Sequence, residues 1–340
     1  MAGRWTIARL NAETAPITEV ERHILAAVDP CIVEAEGASD DEVRSAARDC
    51  DALMVVSAHV RGSVIEQLTR CRIISRLGTG VDKIDVEAAT RRGIFVTNLP
   101  DFCTNEVADH TMALLLAAAR QLKLFEAGAR QGKVPRDVRH MRRLATCTLS
   151  LIGFGRIGRA VAVRARAFGM RVLACDPALT AEAAAETGVS VVDLPTALAE
   201  ADYLSLLCPL TPATRHMLTL EQFRQMKPTA VLINTGRGEL VDEDDLVTAL
   251  REGIIRYAAI DVYGIVDVFA PQGFPTGHPL FSLPNVLLTP HVSAFSEEAL
   301  AEQRRGGAEA VVQVLSGQWP RHPVNPDVKP WFVLTQEECP

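Results

Sequence analysis

Gly153-Phe154-Gly155-Arg156-Ile157-Gly158 follows directly on an apolar run, Thr148-Leu149-Ser150-Leu151-Ile152, and leads into a helical stretch, Arg159 to Phe168. Three glycines at this spacing between a strand and a helix suit a loop that cradles a pyrophosphate. Gly153 permits a tight turn, Gly155 lets the backbone approach the phosphates, and Gly158 lets the helix pack closely on the strand. The helix N-terminus supplies N–H groups and positive dipole for the pyrophosphate, and Arg156 and Ile157 of the loop join the glycines as cofactor-binding candidates. A glycine motif alone is a weak signal. Asp176 strengthens it, because it ends the next strand candidate, RVLACD, about 20 residues on, where a carboxylate can accept from the adenosine ribose hydroxyls. The same carboxylate repels a 2′-phosphate, and Pro177-Ala178-Leu179 offers no Arg or Lys to receive one, so the pattern predicts NAD over NADP.

Such a loop needs a parallel sheet behind it. From Thr6 to Thr97, β-type runs such as ALMVVS, RIISRLGTG and IFVTN alternate with helical stretches such as ITEVERHILAAV and DDEVRSAARD. Strands separated by helices of this length predict βαβ units and a first α/β domain of about 100 residues. One long helix is expected from Thr104 to about Phe125, and the polar, basic stretch from Glu126 to Arg143 reads as a linker. A second βαβ series begins at Thr148, with TLSLI, VLACD, YLSLL, AVLIN and YAAIDV as strands, and ends near Val286 to Leu288. A last helix is expected at about Ser296 to Leu315, followed from Pro320 by a Pro-rich tail that reads as an extended strap or as a partly mobile end.

Composition narrows the function classes. The 340 residues carry a formal net charge of −7, which gives no electrostatic reason to expect nucleic acid or an anionic membrane. The longest apolar run, Met112 to Ala119, is too short to span a bilayer. The eight cysteines are scattered, with no CxxC pair and no zinc spacing. With no secretory signal evident at the N-terminus, they predict reduced thiols in a cytoplasmic protein.

Beyond the glycine loop, several blocks occur in order: LGTGVDKIDVEAATRRG (77–93), NLPDFCTNEVADHTMALLL (98–116), LCPLTPAT (207–214), INTGRG (233–238) and LTPH (288–291). On these the chain resembles the D-isomer-specific 2-hydroxyacid dehydrogenases, in the branch that includes phosphoglycerate dehydrogenase and the C-terminal-binding proteins. The resemblance covers roughly residues 50–317. It implies an α/β protein of two Rossmann-like, doubly wound parallel-sheet domains, with the nucleotide domain inserted into the substrate domain. Residues 1–99 and 291–340 would form the substrate domain and residues 100–290 the dinucleotide domain, with the active site in the cleft between them. It also implies a homodimer through the nucleotide domain and a small carboxylate substrate.

Residue chemistry agrees with the roles so implied. Arg237 leaves a strand on a glycine-flanked turn, where a guanidinium can grip a carboxylate with fixed planar donors. His291 follows Pro290 at a strand end, where an imidazole can exchange the proton that accompanies hydride transfer. The backbone N–H groups of Gly78, Thr79 and Gly80 suit a carboxylate nest, and Ser57 joins them as a substrate-binding candidate. Cys208, Pro209, Thr214 and Thr235 fall at cofactor-binding positions. Thr104 matches a position near the nicotinamide, although it also suits a helix N-cap. Asp261 ends a strand where it could hydrogen-bond the carboxamide.

Two places depart from the family pattern. Thr146 and Ser150 stand where glycines are usual around the fingerprint strand. In Ala258 to His278, AAIDVYG fits the family read from the left and DVFAPQGFPTGHPL fits it read from the right, as if about six residues were doubled. The family's catalytic Glu then falls on Gln272 in the right-hand register, which the eleven-residue spacing from Asp267 to His278 favours, or on Val266 in the left-hand one. A Gln beside the histidine also suits formate-dehydrogenase-like hydride transfer, although residues 98–104 lack that branch's Asn-Ser signature. An incomplete triad would suit an NAD(H)-sensing, corepressor-like binding protein, against which Arg237 and His291 both argue.

Overall fold

Apolar runs too short to stand alone pair here into two parallel sheets, each within its own compact unit. The computed structural model describes residues 5–134, 140–270 and 273–335. One unit is Met1–Phe102 with Phe269–Gly273 and Ser296–Pro340; the other is Cys103–Val268 with Phe274–Phe295. His291 thus lies in the second unit.

The first unit carries β1 (Trp5–Arg9), β2 (Pro30–Glu34), β3 (Ala52–Val55), β4 (Ile73–Arg76) and β5 (Phe95–Thr97). Their order is β2-β1-β3-β4-β5, all parallel. β3, with sequence ALMV, is buried along its whole length, as a parallel sheet covered on both faces requires. On one face Ile7, Ile73 and Phe95 pack with Val311, Val314 and Leu315 of the helix Glu297–Leu315. That helix starts one residue after the expected Ser296, whose hydroxyl caps it by accepting from Ala299 N at 2.9 Å.

The second unit holds β6 (Thr148–Ile152), β7 (Arg171–Cys175), β8 (Ser190–Val191), β9 (Tyr203–Leu206), β10 (Val231–Asn234), β11 (Tyr257–Ile260) and β12 (Val286–Leu288). The order is β12-β11-β10-β9-β6-β7-β8, all parallel. The chain runs outward from β6 to β8, then returns to β9 on the other side of β6. This makes the β6/β9 boundary the topological switch point, where open α/β sheets bind ligands at the carboxyl ends of their strands. Leu149, Leu151, Val161 and Ala165 build the apolar layer on one face, and Leu204, Leu232, Leu246 and Leu250 that on the other.

One expectation needs correction, and the structure chooses between the two readings of the tail. The long helix ends at Ala119, Gln121 takes a left-handed conformation (φ 49°), and a second helix runs Leu122–Arg130, into the stretch read as linker. No Gly or Pro marks this break. The Pro-rich tail is pinned within its unit: Pro323 bridges Thr97, Asn325 accepts from Val96 N at 2.8 Å, and the Trp331 indole donates to Cys71 O at 3.1 Å. The Arg72 guanidinium stacks on Trp5 and Phe332, 4.6 and 4.8 Å from their ring centres. Among the described residues, no helix is long and apolar enough to cross a membrane and no cluster is placed to hold a metal ion.

Candidate active site

At the switch point each fingerprint glycine answers a different demand. Gly153 leaves β6 at φ +99°, and a Cβ there would stand 2.6 Å from Cys208 N on the chain leaving β9. Gly158 is held close by the turn, because a Cβ would meet Gly153 O at 2.5 Å. Gly155, by contrast, has nothing within 4 Å of the Cβ position and precedes the helix Arg156–Ala167. A helix start presents backbone N–H groups and the positive end of the helix dipole. The open space at Gly155, next to this helix start, fits a pyrophosphate.

Asp176 follows β7 and braces the same loop. Its carboxylate accepts from Phe154 N at 2.7 Å and from Ala178 N at 2.8 Å. It stays half-buried, in place to meet a ribose. Across the switch point, burial pushes the Cys208 thiol up to about 11, with Asp176 and Cys175 adding to it. At neutral pH it is therefore a thiol, not a nucleophile. Thr214 closes the 209–214 turn through Pro209 O at 2.7 Å, and the buried Thr235 hydroxyl meets that of Thr111 at 2.8 Å.

Arg237 and His291 leave β10 and β12, on either side of β11. The turn carrying Arg237 is built by buried Asn234, which accepts from Gly236 N at 3.1 Å and donates to Arg237 O at 2.9 Å. The guanidinium itself donates to Gly236 O at 2.8 Å, which fixes its stem. His291 is left-handed (φ 57°), unusual for a residue with a Cβ, and its N–H donates to Asp261 O at 2.8 Å.

Asp261 follows β11 and holds the chain that leaves β12. It is fully buried, and its carboxylate accepts from Thr289 Oγ1 at 2.6 Å, Val292 N at 3.0 Å and Ser293 N at 3.1 Å. A buried carboxylate needs such partners. Through Val292 N and Ser293 N this carboxylate grips the His291 turn. Thr104 is not the N-cap of its helix: Cys103 holds that position, and no side chain caps the helix.

In the first unit, Ser57 follows β3, and its loop closes on Asn11. Asn11 Oδ1 accepts from the N–H groups of Val56, Ser57 and Ala58 at 3.1, 2.8 and 3.1 Å, and Asn11 Nδ2 donates to Ser57 Oγ at 3.0 Å. Gly78, Thr79 and Gly80 follow β4 and fold over Arg76, which donates to Gly80 O at 3.0 Å and also to Leu77 O. Gly78 sits at φ +152°, and a Cβ there would run into the Arg76 guanidinium. Asn11, Arg76, Asn234 and Thr289 escaped the sequence reading, although the last two lie inside the motif blocks.

The doubled segment is anchored by Glu243, which accepts from Gly264 N at 3.1 Å and Ile265 N at 2.9 Å. Burial raises its carboxyl above the ordinary range, against the pull of these two bonds. Tyr263, Phe274 and Phe281 cluster with ring centres 5.3 to 6.4 Å apart. Val266 is half-buried beside Ile265, whereas Gln272 lies outside the described residues.

Residues 112–293 match the family model described as D-isomer specific 2-hydroxyacid dehydrogenase, NAD binding domain. The chain is 40% identical over 313 residues to D-3-phosphoglycerate dehydrogenase of Methanocaldococcus jannaschii, a match covering 89% of this chain and 58% of that protein. It therefore spans a little over half of that relative's length. It is also 40% identical over 286 residues to glyoxylate reductase of Korarchaeum cryptofilum, covering 83% of this chain and 84% of that one. D-lactate dehydrogenase from Aquifex aeolicus, solved with NAD and lactic acid, superposes with a TM-score of 0.81 at 26% identity, covering 92% of this chain and 96% of that one.

Proposed function

The chain belongs to the D-isomer specific 2-hydroxyacid dehydrogenase family, and we propose that it interconverts a small 2-hydroxy acid and its 2-keto acid with NAD. One observation carries this reading. Because the second sheet is wholly parallel, the glycine loop after β6, the Arg237 turn after β10 and the His291 turn after β12 all leave the same edge.

Gly153, Gly155, Arg156, Ile157 and Gly158 would hold the dinucleotide by backbone, and Asp176 would hold its ribose. Cys208, Pro209, Thr214, Thr235, Thr104 and Asp261 complete the proposed cofactor-binding set. Bound NAD supplies the hydride acceptor, and NADH the donor. Arg237 binds the substrate carboxylate through its planar fork. In oxidation His291 takes the proton of the 2-hydroxyl as the carbonyl forms; in reduction it returns that proton to the carbonyl oxygen. Ser57 and the N–H groups of Gly78, Thr79 and Gly80 are the first unit's proposed carboxylate-binding groups. A cytoplasmic location is part of the proposal, and scattered cysteines with no CxxC pair support it.

A homodimer is part of the proposal. The helix Leu122–Arg130 buries none of its residues, and Leu122 and Leu124 on it are about half exposed, at 54% and 48%. Apolar side chains grouped on one helix in this way suit a partner surface. Sedimentation tests the assembly state. For the activity, NADH consumption is followed across 2-keto acids from glyoxylate to aromatic-substituted ones. Turnover of at least one, abolished in His291→Asn, is the expected result. Tight NADH binding with no turnover on any of them overturns the reading.

A further inference from the structure

His110 lies on the helix Thr104–Ala119, largely buried, and no motif of the glycine loop or the Arg237 turn includes it. Its Nε2 stands 3.1 Å from Thr289 Oγ1 and 3.6 Å from Asp261 Oδ1. The proton inventory of this cluster is determined by chemistry. Thr289 has one hydroxyl proton, and the 2.6 Å contact commits it to Asp261, whose carboxylate accepts. Nε2 must then carry a proton and donate to Thr289, which sets the imidazole tautomer. Tyr263 adds a bond from its phenol to Thr289 O at 2.9 Å.

The cluster holds a strained turn. His291 sits at φ 57°, and such a conformation costs a residue with a Cβ on the order of 1 kcal/mol, so it persists only where its surroundings over-determine it. Asp261 supplies that constraint through Val292 N, Ser293 N and its own carbonyl. Thr289 and His110 in turn fix the Asp261 carboxylate. We propose that His110 is a positioning residue, which orients the His291 turn through Thr289 and Asp261. This rests on the reading of His291 as the proton-exchanging group.

The test uses the full chain and the variants His110→Leu, His110→Gln and Thr289→Val. Three quantities are read: kcat for the best 2-keto acid, NADH affinity by fluorescence, and amide exchange at residues 291–293 without cofactor. His110→Leu is expected to lower kcat about tenfold, as a small misplacement of a reacting group does, and to speed exchange at 291–293 while NADH affinity holds. Gln can place an N–H where Nε2 was, and should restore both. Thr289→Val should act like His110→Leu, and the double variant should be no worse than either single one. Wild-type kcat and exchange in His110→Leu overturn the proposal, as does a Gln variant as impaired as Leu. If His110→Leu does not fold, Thr289→Val decides: unchanged exchange there refutes the relay. A fully active His291→Asn variant would instead remove the proton-exchange reading, while the exchange data still report on the turn.

Discussion

A methyl group on Gly153 would stand 2.6 Å from the backbone nitrogen of Cys208, so β6 and β9 close on each other where the chain leaves them. Gly155, two residues on, would meet nothing within 4 Å. One motif therefore holds two glycines for separable reasons, fold at the first and ligand at the second. Gly153→Ala is expected to lower the melting temperature by several degrees, because it adds both a backbone clash and strain at positive φ. Gly155→Ala should melt like the wild type yet bind NADH at least about tenfold more weakly. Calorimetry and NADH titration check both; a Gly155→Ala protein with wild-type affinity would show that nothing approaches this backbone.

Asp176 braces the glycine loop and is the residue proposed to set cofactor choice. Asp176→Ser removes the charge that disfavours a 2′-phosphate and also weakens the bonds to Phe154 N and Ala178 N. NADH affinity should fall, and the ratio of kcat/KM with NADH to that with NADPH should narrow by about tenfold or more. Wild-type enzyme that prefers NADPH would contradict the assignment directly.

What could be read from the chain, and what could not, divides along physical lines. GFGRIG and Asp176 were legible because tight turns and close approaches demand particular residues at fixed local spacing. Asp261 was legible as a strand-end acid, but its grip on the His291 turn was not, since those partners come from residues 289–293, brought beside it only by the pairing of β11 with β12. His110 reads as one polar residue on a helix until the same pairing sets Thr289 against it. The helix break at Gln121 left no trace, because a left-handed residue without Gly or Asn is set by packing rather than propensity.

Asp202 offers a test of electrostatics away from the chemistry. Burial alone would raise its carboxyl, but bonds from Thr148 N, Lys227 and Arg142 outweigh burial and hold it below the ordinary range. A carboxyl whose folded pKa lies below its unfolded value stabilises the fold fully above about pH 4, and that contribution is lost as pH falls through the folded value. Asp202→Asn should therefore destabilise the protein modestly at pH 7, by roughly 1 kcal/mol, because Arg142 and Lys227 are both substantially exposed and solvent screens the pairs. The gap to wild type should shrink as the pH drops below about 4. An equal gap at pH 3 and pH 7 would be inconsistent with this account.

The doubled segment can be settled by where a carboxylate affects catalysis. A carboxylate beside His291 favours imidazolium, the form that keto-acid reduction needs, so it should extend reduction to higher pH. Gln272→Glu is expected to move the alkaline limb of the reduction profile up by roughly one pH unit, and Val266→Glu to leave it in place. The opposite result would put the left-hand register against the histidine. No movement in either variant would show that His291 works without a partner from this loop.

Arg237 separates charge from geometry. Its Nη1 donates to Gly236 O at 2.8 Å, and that carbonyl belongs to a turn tied by Asn234. That bond holds one arm of the planar fork in a fixed orientation. A lysine on this turn has a single ammonium, which must either keep the Gly236 contact or reach for the substrate as a point charge. Arg237→Ala should lower kcat/KM for keto acids by about a hundredfold or more, since losing a charge-assisted pair costs a few kcal/mol. Arg237→Lys should recover less than about a tenth of the wild-type value, because it restores the charge without the fork. NADH affinity should stay within about twofold in both variants, because the guanidinium is assigned to the substrate. If Lys restores full kcat/KM, charge alone suffices and the planar fork is not what binds the substrate; if Ala weakens NADH binding as much as it slows turnover, Arg237 belongs to the cofactor site instead.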